Sequence, residues 1–140
     1  GSHGETMVPV PSQCKVSGKP LGELISEDEI SELVQKTSDG GAEIVGLLKT
    51  GSAYFAPSSA AATMVKSIIS DSNKVLPACS WVDGEYGIND VFLGVPTMLG
   101  SKGVTKVVEL DLKDSELTAL KNASIAVKSK VEELNSILSQ

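Results

Sequence analysis

Leu117, Leu120, Val127, Val131, Leu134 and Leu138, with Ser124 completing the series, recur at alternating spacings of three and four. Residues three and four apart share one face of an α-helix, so this spacing draws a single apolar stripe interrupted only by the serine. The stretch from Asp114 to Leu138 therefore reads as one helix of about 24 residues, roughly 36 Å long at the α-helical rise. A helix of that length must cover its stripe. Packing of the stripe onto a sheet is the arrangement expected.

The sheet is expected just upstream. Lys74 to Val82 is β-rich and leads into Asp83-Gly84-Glu85-Tyr86-Gly87, a turn signal. Val91 to Leu99 is a second strand, Gly100-Ser101-Lys102-Gly103 a tight turn, and Val104 to Leu110 a third strand. Short Gly-containing turns imply an antiparallel meander. Before it come helices. Ser26-Glu27-Asp28-Glu29 is a capping box. Ile30, Leu33, Val34 and Thr37 follow on one face, with Asp39-Gly40-Gly41 expected to end the run. A second helical stretch runs from Ala42 to Lys49. A third runs from near Ser52 through Ala60-Ala61-Ala62 to about Ile69, its small residues suggesting close packing on several sides. Met7-Val8-Pro9-Val10-Pro11 reads as an edge strand, because its prolines lack donors. The fold class is α+β: an antiparallel sheet packed against helices, with a long C-terminal helix.

The chain has 140 residues, a length suited to one domain over 1–140. Its formal charge is −6, and all 12 basic residues are lysines. An acidic chain without arginine is a poor nucleic-acid binder. Any bidentate grip on a carboxylate or phosphate must come from elsewhere. No apolar run approaches the ~18–20 residues that span a bilayer, so no membrane partner is expected. Cys14 and Cys79 lie far apart, and with a single histidine they fall short of a zinc site. They are read as small, partly buried thiols in a reducing compartment, the cytoplasm, although a disulfide between them stays open.

Several motifs dissolve on inspection. No G-x-G-x-x-G occurs, and Gly46 to Ser52 has its lysine misplaced for a phosphate loop. Asn122-Ala123-Ser124 lies inside the final helix and reads as a chance sequon. The Glu27-Asp28-Glu29 cluster complements a helix dipole. His3 remains. Histidine is the one side chain whose unperturbed pKa lies near neutrality, and glycine follows it here. On composition alone it is either the residue of an expression tag or a general acid/base.

Its context bears on that choice. His3-Gly4-Glu5-Thr6-Met7-Val8-Pro9 resembles the active-site histidine segment of the lactate/malate dehydrogenase family. Thr50-Gly51-Ser52-Ala53-Tyr54-Phe55-Ala56-Pro57 resembles the segment lining that family's substrate pocket. Gly84-Glu85-Tyr86-Gly87 and Val91-Phe92-Leu93-Gly94-Val95-Pro96 are similar to its C-terminal hairpin, and the closing helix matches in position and length. Four such motifs in family order cover almost the whole chain. The Gly-Ser-Ala-Tyr-Phe-Ala-Pro version resembles malate dehydrogenases built on a lactate-dehydrogenase-like plan.

The resemblance implies a hydride exchange between NAD and C2 of a small 2-hydroxy or 2-oxo acid, malate first and lactate as the alternative. It makes His3 the proton donor and acceptor. Gly51, Ser52 and Ala53 would then shape the substrate wall, with Gly51 admitting close backbone approach. It also implies that the nucleotide-binding Rossmann half, the arginines and the aspartate that orients the histidine lie outside this chain. The C-terminal substrate domain alone would then be inactive, its bared surfaces favouring homo-oligomers. A non-catalytic assembly module, with His3 from a tag, is the reading from another class.

Overall fold

The computed structural model describes residues 1–4 and 6–139. Its centre is a three-stranded antiparallel sheet: β3 (Lys74–Val82), β4 (Val91–Gly100) and β5 (Gly103–Val107), in that order. Cys79 stands opposite Gly94 and Trp81 opposite Phe92. A bulge between Met98 and Leu99 shifts the register against β5. The period of two divides the faces. Ala78, Ser80 and Val82 of β3 and Val91, Leu93, Val95, Thr97 and Leu99 of β4 point inward, while Cys79, Trp81 and Phe92 point out. Ser80 and Thr97 satisfy one another across the buried face at 2.8 Å.

The long C-terminal helix, α3 (Asp114–Leu138), has the expected boundaries and lays Leu120 and Ala123 on the inner sheet face, with Leu117 and Val127 at the margin. The remainder of the stripe departs from expectation. Val131, Leu134 and Leu138 are 50%, 54% and 74% exposed, so only the first half of the helix packs on the sheet. The core cluster that the stripe joins ends at Val127.

The N-terminal half differs more. The two expected helices before residue 49 are one helix, α1 (Glu27–Leu48), which runs straight through Gly40-Gly41. Each glycine costs a helix about 1 kcal/mol against alanine, too little to stop a run that is already propagating. The true stop is Lys49, at φ 59, followed by Gly51 at φ +110. The capping box at Ser26 is present: its hydroxyl accepts from the Glu29 amide at 3.3 Å, and the Glu29 carboxylate accepts from the Ser26 amide at 2.8 Å. The next helix, α2 (Phe55–Ile69), starts three residues later than its small-residue pattern suggested. It is not packed on several sides: Ala60, Ala61 and Ala62 are exposed, and only Ser67 is buried, donating to the Leu99 carbonyl at 2.8 Å.

Residues 7–10 form no strand, and a 3-10 turn follows at Pro11–Gln13. A short hairpin of β1 (Lys15–Val16) and β2 (Lys19–Pro20), too polar and too brief for periodicity to register, comes next. Both cysteines are free and exposed, which corrects the expectation of partly buried thiols: Cys79 lies on the outer face of β3 and Cys14 beside the 3-10 turn.

Candidate active site

The segment bearing His3 is tied down at both ends. Upstream, the Gly1 nitrogen donates to the Gly94 carbonyl at 2.6 Å, and the Gly94 amide donates back to the Gly1 carbonyl at 2.9 Å. Such an exchange of both bonds is the signature of an antiparallel strand pair, so Gly1 stands beside the stretch of β4 that β5 does not pair. Position 94 has to be glycine, since a Cβ there would lie 2.5 Å from the Gly1 oxygen.

Between the ties the chain turns sharply. Gly4 is at φ +93, and the Met7 amide donates to its carbonyl at 2.9 Å. Ser2 and Thr6 join hydroxyls across the same turn. His3 lies on the outside of this bend, exposed, with no hydrogen bond or ion pair among the described residues. Glu5, part of the motif around it, lies outside the described residues. Val8 then packs against the core.

Downstream, the Ser12 amide and hydroxyl donate to the two carboxylate oxygens of Glu116 at 3.1 and 2.5 Å. The Lys113 amide also donates to Glu116, at 2.9 Å. Glu116 is 7% exposed. Burial pushes its carboxyl upward, but the Ser12 hydroxyl, the two backbone amides and the Lys113 charge together hold it below the ordinary value. Gln13 adds a bond from Nε2 to the Asp111 carbonyl at 2.6 Å.

Gly51, Ser52 and Ala53 lie in the connection between α1 and α2, the first two exposed and Ala53 half-buried. A Cβ on Gly51 would meet nothing within 4 Å, so its positive φ, not crowding, is what calls for glycine. No hydrogen bond or ion pair joins this connection to His3 among the described residues. His3, Gly51 and Ser52 thus all face solvent. A cavity of about 400 Å³ lies under the His3 bend, bounded by Gly1, Val8, Tyr86, Val95 and Leu120. Its lining is apolar, and His3 is not part of it. Among the described residues no three His, Cys, Asp or Glu side chains gather as for a metal. No helix among the described residues is long and apolar enough to cross a membrane.

Sequence reasoning missed Glu116 and the Gly1–Gly94 pair. Glu116 carries a local signal, sitting three residues after the helix-leading Lys113. Its partner Ser12, 104 positions away, carries none.

The comparisons with known proteins agree with one another. A family model for the lactate/malate dehydrogenase alpha/beta C-terminal domain matches residues 1–137. The malate dehydrogenase of Rhodopirellula baltica is 49% identical over 140 residues, covering 100% of this chain and 44% of that protein. Malate dehydrogenase from Salinibacter ruber superposes with a TM-score of 0.94 at 42% identity, over 99% of this chain and 45% of its own. A Cryptosporidium parvum lactate dehydrogenase, solved with lactic acid and nicotinamide adenine dinucleotide, gives 0.93 at 36% identity, over 96% of this chain and 44% of its own. The chain therefore spans less than half the length of these relatives.

Proposed function

Since this chain belongs to the lactate/malate dehydrogenase family through that family's C-terminal domain, we propose that it is the substrate half of an NAD-dependent malate dehydrogenase. The observation that carries the reading is the exposed imidazole of His3, held on a tethered bend in a chain that matches malate dehydrogenases from end to end. The runner-up acid is lactate, supported by the likeness to lactate dehydrogenases.

The residues present do not build a nucleotide site. The sheet is antiparallel, and no Gly-rich loop of the G-x-G-x-x-G kind occurs. NAD is accordingly assigned to the portion of the relatives that this chain does not span, where its nicotinamide would exchange hydride with C2 of the substrate. This chain's part is the proton. In the oxidation direction the His3 imidazole accepts the C2 hydroxyl proton, and in the reduction direction the imidazolium returns it to the C2 oxygen. Imidazoles suit both tasks because they titrate near working pH. The open turn at Gly51, Ser52 and Ala53 offers backbone and hydroxyl to the substrate wall. Without arginine, the chain has no planar fork for a dicarboxylate, so that grip too is assigned elsewhere. Two free, exposed thiols fit a reducing cytoplasm.

A steady-state assay with malate and NAD tests the reading. The 140-residue chain alone should produce no NADH, and the same chain continuous with a nucleotide-binding half should produce it, faster with malate than with lactate. An ordinary enzymatic rate from the isolated chain would refute the division of labour, and a longer protein inert toward both acids would refute the activity.

A further inference from the structure

We propose that Glu116 is a positioning residue for His3: its buried carboxylate latches the downstream end of the histidine-bearing segment to the first turn of α3. The inference rests on the reading of His3 as the proton shuttle. The segment has two ends to hold, and the structure holds them differently. At Gly1 the tie is a pair of backbone bonds to β4. At Ser12 both bonds, from the amide and from the hydroxyl, converge on one side chain. The same carboxylate accepts from the Lys113 amide and so closes the start of α3. One group thereby fixes the segment to the helix whose Leu120 and Ala123 lie on the inner face of β4.

The chemistry of the group matters. Three donors converge on two oxygens, a demand that an ionised carboxylate meets with lone pairs to spare and a carboxamide does not. In Glu116→Gln, one end of the amide becomes a donor facing another donor, whichever way it is turned. Other anchors on this side include the exposed Gln13 bond to Asp111 and the packing of Val8. Neither fixes the direction in which the chain leaves the Gly4 turn toward Ser12. Small displacements of a proton-transfer group are costly to turnover.

The test has two arms. In the 140-residue chain, Glu116→Gln should speed amide exchange at Met7 while leaving the β3–β4 amides of Ser80 and Leu93 protected. In the longer enzyme, well below its melting temperature, the same variant should lower kcat about tenfold with KM for NAD unchanged. Ser67→Ala, which removes a buried bond between α2 and β4, serves as the control and should soften the fold without lowering kcat. Unchanged exchange at Met7, or a kcat that falls equally in both variants, would overturn the latch. If His3→Asn leaves turnover intact, the proton-shuttle reading is what fails, and the exchange arm still judges the latch.

Discussion

Gly94 shows how one missing methyl group shapes the site. The Gly1 carbonyl occupies the space a Cβ would need, so Gly94→Ala must push Gly1 away from β4. Overpacking of this kind costs about 1–3 kcal/mol, and urea unfolding of the variant should show a loss in that range. Tyr86 is strained in its backbone, at φ 57. Its amide donates to Glu109 at 2.6 Å and its hydroxyl to the Val108 carbonyl at 3.1 Å, while the Leu110 amide donates to that hydroxyl at 2.9 Å. Burial raises the phenol, which keeps the donor proton in place. Glu116 gives the residue scale its pH dependence. Its carboxyl is held lower in the folded chain than in the unfolded one, so the folded state binds fewer protons. The stability it contributes is complete above the ordinary carboxylate value and is lost as pH falls through the depressed one. Lys113, itself 3.9 Å from Glu27, is the charged neighbour that shares in this. Denaturation from about pH 6 down to about pH 3, well spaced around the carboxylate range, should show the gap between parent and Glu116→Gln closing on acidification.

At the scale of elements, what could be read from the sequence was whatever is encoded locally. The stripe from Leu117 onward set the bounds of α3, the Ser26 box set the start of α1, and Lys74 to Leu110 gave the meander in order, although β5 stops at Val107 rather than Leu110. Gly40-Gly41 misled because a glycine pair lowers helix propensity without forbidding the helix. Both positions are open, with nothing within 4 Å of an added Cβ and no positive φ. Gly40→Ala should therefore strengthen α1 by up to about 1 kcal/mol, seen as slower amide exchange along that helix and greater helical circular dichroism. Failure of that gain would mean that the helix is interrupted in solution. The His3 segment was recognisable as a motif, but neither its bend nor its tethers were. Both tethers bring together residues more than ninety positions apart, and no local pattern announces such a meeting.

The whole molecule carries more apolar surface than its core uses. Phe55 and Ile69 are each 81% exposed and Leu47 is 75% exposed, while Trp81 and Phe92 stack edge-on across the outer sheet face at 5.1 Å. Surfaces of this kind drive association, whether with the rest of a longer protein or with further copies of this chain. Sedimentation of the 140-residue chain at rising concentration should show species heavier than one chain, and a constant single-chain mass would count against it. The charge of −6 slows such association at low salt without preventing it. Above all of this stands the assignment of the proton to one imidazole. Malate turnover by the longer enzyme carrying His3→Ala, with and without imidazole added to the buffer, measures it directly. Loss of general acid–base catalysis should slow the variant about 10²–10⁴-fold, with part of the rate restored by the free imidazole. A variant that turns over malate within a few-fold of its parent, indifferent to the additive, would contradict the assignment.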